Sequence, residues 1–236
     1  GPSFGRDMTL APASTEAPLF PRQPGPGLLI PEQPCGSLTL PLPLSGSLRL
    51  TPEQFAELCQ ANPEAVLELA ADGSLIPMTP TGSETGARNA NLLFQIQAWT
   101  RAAGGWKVFD SSTGFRLPDN SVLSPDVSLV DLERWQALSA AERRGFAPLC
   151  PDLVVELASP SDDGPRGITA LRQKMAAYQR NGARLGWLLI PAERTAEVWG
   201  PLADGKQGWR IGAATRLDGS PHFPALVLEL EEIWAG

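Results

Sequence analysis

The sequence is poor in residues on which much familiar enzyme chemistry depends. Only one of its 236 residues is a histidine, His222. A two-histidine zinc site and an HExxH metalloprotease are therefore excluded, and a Ser-His-Asp relay could run only through that single ring. His222 lies between Pro221 and Phe223 in a loop-like stretch, where an exposed or structural histidine needs no functional account. The three cysteines, Cys35, Cys59 and Cys150, are odd in number, far apart and never in a CxxC pair. Neither a disulfide framework nor a zinc ribbon is expected, and the compartment reads as reducing. No apolar run reaches the roughly 18 residues of a membrane span, and no charged-then-apolar leader segment opens the chain. The expectation is an intracellular, cytoplasmic protein. Basic charge is in deficit too, with 19 Lys and Arg against 26 Asp and Glu, a net of −7. That deficit argues against non-specific affinity for a polyanion, because nucleic-acid binders present cations to phosphate.

What is abundant is proline and glycine at the N-terminus. Residues 1–50 hold 10 of the 24 prolines and 6 of the 23 glycines, so about a third of that segment suits neither a helix nor a central strand. Residues 1–49 read as a flexible arm, its opening Gly1-Pro2-Ser3 resembling the remnant of a cleaved tag ahead of a start near Met8. Residues 50–236 read as one folded domain of interspersed strands and helices.

Within it, Thr51-Pro52-Glu53-Gln54 offers a capping box and an N1 proline for a helix to about Ala61. Val66–Ala70 and Ser74–Met78 flank a turn. Ser83–Ala103 places Leu92, Ile96 and Trp99 on one face of a long helix. Trp106–Asp110 and Gly114–Leu117 read as strands joined by a tight turn, followed by a strand at Asp126–Asp131. Leu132–Gly145 reads as two helical turns, with a second capping box at Ser139 and Glu142. Asp152–Ala158 and Leu185–Ile190 are strongly apolar strands, Ile168–Asn181 is a helix closed by Gly182, and further strands and a helical turn at Glu229–Trp234 end the chain.

Glu156 is the most informative residue on physical grounds. A carboxylate inside Leu153-Val154-Val155-Glu156-Leu157-Ala158 costs several kcal/mol if buried, ionised and unpaired. It is either exposed, a structural ion pair, a tuned acid or a metal ligand. Lys174 edges the apolar stripe of Leu171, Met175 and Tyr178, where it either snorkels outward or reaches a carboxylate, and Glu156 on the preceding strand is the natural partner. Asp126 follows Pro125 at a strand start, and Glu84 stands in a first helical turn where any carboxylate is favoured. Each alone has a plain structural explanation. Together, hard acidic oxygens and one lysine are what a magnesium-dependent phosphodiesterase uses: oxygens to hold the cation, a lysine to stabilise developing charge.

Several motifs in order carry a resemblance. They are Met78-Thr79-Pro80-Thr81-Gly82-Ser83-Glu84-Thr85-Gly86-Ala87-Arg88-Asn89, Ser112-Thr113-Gly114-Phe115, Ser124-Pro125-Asp126 and Pro151-Asp152-Leu153-Val154-Val155-Glu156-Leu157-Ala158-Ser159-Pro160-Ser161-Asp162. Lys174-Met175, Tyr178, Asn181-Gly182 and Leu185-Gly186-Trp187-Leu188 complete the set. Over about residues 50–236 the chain resembles the Uma-type restriction endonucleases, formerly a domain of unknown function. The resemblance implies the PD-(D/E)XK nuclease fold, an α/β architecture with a central mixed sheet flanked by helices, and a DNA endonuclease acting with Mg2+ or Mn2+. It implies Asp126, Glu156 and Glu84 as metal ligands, Glu68 competing with Glu84 for the third place, and Lys174 as the catalytic lysine. It implies a homodimer as well. The chain departs from the family pattern at Ala158, at Ile190 and in a longer loop from Asp163 to Gly167. A catalytically silent nucleic-acid-binding module on the same fold stands as the alternative, and a hydrolase of small phosphorylated substrates as a third reading.

The charge deficit is uneven. Arg166, Arg172, Lys174, Arg180 and Arg184 follow one another with no acid between them, so one face is expected to be positive and to bind phosphate in a salt-sensitive way.

Overall fold

The computed structural model describes residues 48–162, 165–201, 207–213 and 215–236. The expected N-terminal arm lies outside them except for Leu48 and Arg49. Order opens with helix α1 (Pro52–Ala61), whose reciprocal Thr51–Gln54 capping box forms as its sequence dictates. Strands β1 (Leu67–Leu69) and β2 (Leu75–Pro77) follow, then the long helix α2 (Ser83–Ala103) and strands β3 (Trp106–Phe109), β4 (Phe115–Arg116), β5 (Val122–Leu123) and β6 (Val127–Asp131). Two short helices come next, α3 (Leu132–Gln136) and α4 (Ala140–Arg144), the second with its Ser139–Glu142 capping box. Strand β7 (Leu153–Leu157), helix α5 (Pro165–Arg180), strands β8 (Leu185–Ile190), β9 (Thr195–Pro201), β10 (Gln207–Gly212), β11 (Arg216–Asp218) and β12 (Val227–Glu229), and helix α6 (Leu230–Ala235) complete the described chain.

The main sheet has six strands in the order β10-β9-β8-β7-β6-β3, and a second has four in the order β2-β1-β5-β4. In the six-stranded sheet only β7 and β8 run parallel. A parallel pair needs a crossover connection, and α5 is that crossover. Alternation along β7 then decides what the helix meets. Val155 and Leu157 face the cluster containing Leu92 and Ile96 of α2, whereas Val154 and Ala158 face the cluster containing Met175 and Tyr178 of α5. Glu156 has the parity of Val154, so its side chain is delivered to the α5 side.

The expected tight hairpin between the strands at 106–110 and 114–117 does not form. β3 pairs with β6 in one sheet, and β4 pairs with β5 in the other. The Asp110 side chain accepts hydrogen bonds from the Ser112 amide, at 3.0 Å, and from the hydroxyls of Ser112 and Thr113. This Asx turn redirects the chain from one sheet to the other instead of folding it back. Phe109 and Phe115 pack edge to face at 5.2 Å across the junction.

Glycine is required at position 73, where φ is +85° and a Cβ would stand 2.8 Å from the Leu50 carbonyl oxygen. Among the described residues no helix is long and apolar enough to cross a membrane.

Candidate active site

The two sheets meet at a cleft of about 910 Å³ whose lining includes Glu68, Asp126, Glu156, Lys174 and Arg180. Glu68 comes from β1, Asp126 from the entry to β6, Glu156 from β7 and Lys174 from the crossover helix. Lys174 Nζ lies 2.8 Å from Glu156 Oε1 and 3.0 Å from Glu68 Oε2, so one ammonium bridges two buried carboxylates. It also donates to the Ser124 carbonyl at 3.4 Å. The backbone holds the acids as well: the Ser124 amide donates to the same Glu68 Oε2 at 2.7 Å, and the Leu157 amide donates to Asp126 Oδ2 at 2.6 Å. The Tyr178 hydroxyl donates to Glu156 Oε1 at 3.0 Å.

Burial dominates the electrostatics. Desolvation raises the Glu156 carboxyl to about 8 against the pull of Lys174, with Asp126 and Glu68 adding repulsion. The same desolvation raises Asp126, which the Leu157 amide and Lys174 only partly offset. For Lys174 desolvation works the other way, but the facing carboxylates outweigh it and hold the ammonium charged. Three acids share one cation, an imbalance that a buried cluster tolerates poorly.

Of the expected site residues, Asp126, Glu156 and Lys174 are brought together. Glu84 is not. It pairs with Arg88 at 2.8 Å and is 66% exposed, while Arg88 donates to the Ile233 and Trp234 carbonyls. A carboxylate one turn into a helix is placed by its local helix-end environment and has no need of the cleft. Glu68 occupies the third acidic position. Its sequence context gives little sign of this, because the position follows from the pairing of Leu69 in β1 with Val122 in β5.

Two further buried acids went unnoticed in the sequence. Asp152 accepts from Arg134 at 2.9 Å, Arg184 at 3.1 Å and the Asp131 amide at 2.8 Å. Glu197, fully buried on β9, accepts from Arg172 at 2.6 Å and from the Trp199 indole. Both lie outside the cleft lining and fasten helix or loop to sheet. Asp152→Ala is expected to cost about 1–3 kcal/mol by orphaning the Asp131 amide, lowering the melting temperature in a thermal scan while divalent-cation affinity stays unchanged.

These pairs correct the expected positive face. Of the basic residues between 166 and 184, Arg172, Lys174 and Arg184 are engaged by buried carboxylates. Arg180 lines the cleft, and the side chain of Arg166 lies outside the described residues. His222 is half-buried and absent from the cleft lining. Burial pushes the Cys150 thiol up to about 12, which leaves it inert as a nucleophile.

The donor chemistry suits a hard divalent cation: carboxylate oxygens, with acids outnumbering the lysine. Among the described residues, however, no three acidic, histidine or cysteine side chains converge as a ready-made metal site. Lys174 draws Glu68 and Glu156 toward its own ammonium.

Comparison with known proteins places this geometry in context. No functionally curated protein matches the chain. A similar solved structure is the crystal structure titled as "a putative nuclease belonging to DUF820" from Anabaena variabilis ATCC 29413. It has a TM-score of 0.62 at 20% identity and covers 79% of this chain and 98% of that one. At that identity the likeness shows the fold, a mixed sheet flanked by helices. The profile of the Uma2 family, described as "Putative restriction endonuclease", matches residues 52–231. That span takes in both sheets and every residue of the acidic cluster, and the chain belongs to the Uma2 family.

Proposed function

We propose that this chain is a divalent-cation-dependent nuclease that hydrolyses phosphodiester bonds in DNA, with Asp126, Glu156 and Glu68 holding Mg2+ or Mn2+ and Lys174 serving the phosphate. The observation that carries the reading is the meeting of three carboxylates and one lysine, from four different elements, in one cleft. A structural ion pair needs one acid for its base. Two acids in excess, buried at the base of a cleft, are a cost that bound positive charge relieves.

Bound there, the cation supplies Lewis-acid activation of water and screening of the phosphate. The chain's own groups do the rest. Asp126, held by the Leu157 amide, and Glu156, held by Lys174 and Tyr178, present oxygens from adjacent strands. Lys174 keeps its proton and so remains a cation against the charge that develops on the phosphoryl oxygens. Glu68 grips the same ammonium from β1. Ala158 stands in the slot where the simplest form of the nuclease motif has its lysine. It is buried in the same apolar cluster as Met175 and Tyr178, beneath the helix that supplies Lys174 instead.

Oligonucleotide cleavage with and without Mg2+ tests the assignment of the third acid. Glu68→Gln is expected to lower the Mg2+-dependent rate by at least about tenfold, as loss of a cation-holding oxygen does, whereas Glu84→Gln leaves it unchanged. The reverse ranking, or cleavage indifferent to Mg2+, removes the reading.

One observation favours a silent nucleic-acid-binding module, namely the engagement of Lys174 by two carboxylates. That reading expects the wild-type protein to bind oligonucleotides, to take up no Mn2+ at millimolar concentration in calorimetry, and to cleave nothing.

A further inference from the structure

Glu156 Oε1 accepts two hydrogen bonds at once, from Lys174 Nζ at 2.8 Å and from the Tyr178 hydroxyl at 3.0 Å. Lys174 and Tyr178 stand one turn apart on α5, so one face of the helix delivers both donors to the same atom. Tyr178 is fully buried, its ring in the apolar cluster with Ala158, Met175 and Ile190. Phenylalanine would fill that space equally well. The hydroxyl adds nothing to packing, and burying it without a partner would be unfavourable, so its place depends on Glu156.

Holding one oxygen of a carboxylate at two points fixes its rotation. Both donors meet the same oxygen, Oε1. Asp126, whose carboxyl lies within hydrogen-bonding contact of Glu156, is likewise held by one oxygen, Oδ2, on the Leu157 amide. Each carboxylate is thus clamped through one oxygen by a donor outside the pair, and the two carboxyls meet each other.

We propose that Tyr178 is a positioning residue, clamping Glu156 through Oε1 so that its carboxylate stays beside that of Asp126 in the orientation that lets both meet a divalent cation. This rests on the reading of Asp126 and Glu156 as cation ligands. Tyr178 touches neither cation nor substrate. Its effect passes through Glu156, as second-layer hydrogen bonds do in metal sites generally.

Mn2+ binding to the full-length protein, measured by the electron paramagnetic resonance signal of free Mn2+, tests the assignment in wild type and Tyr178→Phe. The variant is expected to bind Mn2+ about tenfold more weakly or worse. Its kcat at limiting Mn2+ falls and recovers with excess Mn2+, while KM for the oligonucleotide is unchanged. A lowered melting temperature with unaltered Mn2+ affinity would mean that the hydroxyl only stabilises the fold, and would overturn the proposal while leaving the nuclease reading intact. Absence of Mn2+ binding by the wild-type protein would overturn both.

Discussion

Replacing Asp126 with Asn, or Glu156 with Gln, is expected to abolish divalent-cation-dependent cleavage while making the metal-free protein more resistant to heat. The two halves of this result come from one cause. Carboxylate oxygens that hold a cation supply several kcal/mol of charge stabilisation to the reaction, and at about 1.4 kcal/mol per tenfold their loss lowers the rate by at least about a thousandfold. Without the cation, the same oxygens are buried acids crowded by other acids. Burial and the neighbouring Asp126 and Glu68 push Glu156 up to about 8. A neutral amide of the same shape removes that repulsion and keeps the packing. The gain is expected at about 1–3 kcal/mol, in the range found when buried charge is replaced, or several degrees in melting temperature. Thermal scans in chelator, set beside cleavage assays in Mg2+, check both halves. Variants that lose activity because they unfold would melt lower, not higher, and would sink the explanation.

Lys174→Met is expected to have the opposite effect on stability and the same effect on activity. Methionine fits the apolar stem of the lysine but leaves Glu68 and Glu156 facing each other without the ammonium that lies within 3.0 Å of both. Breaking a buried pair from one side costs about 3–5 kcal/mol. For a chain of this size that amounts to a fall of roughly 6–20 °C in melting temperature. Added Mn2+ is expected to raise the melting temperature of this variant more than that of wild type, because the cation then meets an even larger excess of negative charge and binds the folded form more tightly. Lys174→Arg restores the charge and most of the stability. Its planar fork does not reproduce a point cation at that spot, so cleavage stays low. Equal Mn2+-induced shifts in wild type and Lys174→Met would show that the acids do not act together as a cation site.

Much of the fold could be read from local pattern. The capping boxes at Thr51 and Ser139, the long helix from Ser83 to Ala103 and the apolar strand around Glu156 form where their residues place them, because each depends on neighbours within a turn or two. The helix carrying Lys174 starts at Pro165, three residues ahead of the expected Ile168, since proline suits a first helical position. The partnership of Glu156 and Lys174 was legible as well, because a buried acid on a strand and a lysine on the next helix face each other across a crossover. Sheet assignment was not. The turn after Phe109 looks like a hairpin turn until β6 and β5 claim its two strands. Glu68 and Glu84 could not be ranked for the same reason. Both sit in plausible local settings, and only the pairing of β1 with β5, more than fifty residues later in the chain, carries Glu68 to the cleft. Asp152 and Glu197 were hidden because their arginine partners are distant in sequence or belong to a neighbouring element.

The lysine bridge between Glu68 and Glu156 also bears on how the protein is made. Its two carboxylates belong to different sheets, and the ammonium that joins them is encoded after both. No short fragment of the chain contains the cluster, and closing it requires contacts between residues 68 and 174, the sort of long loop whose ordering is paid late in folding. A growing or truncated polypeptide that stops before α5 has the acids without their cation. The proposed cation site therefore comes into being only with the last of these pieces, and a chain that ends before α5 lacks it.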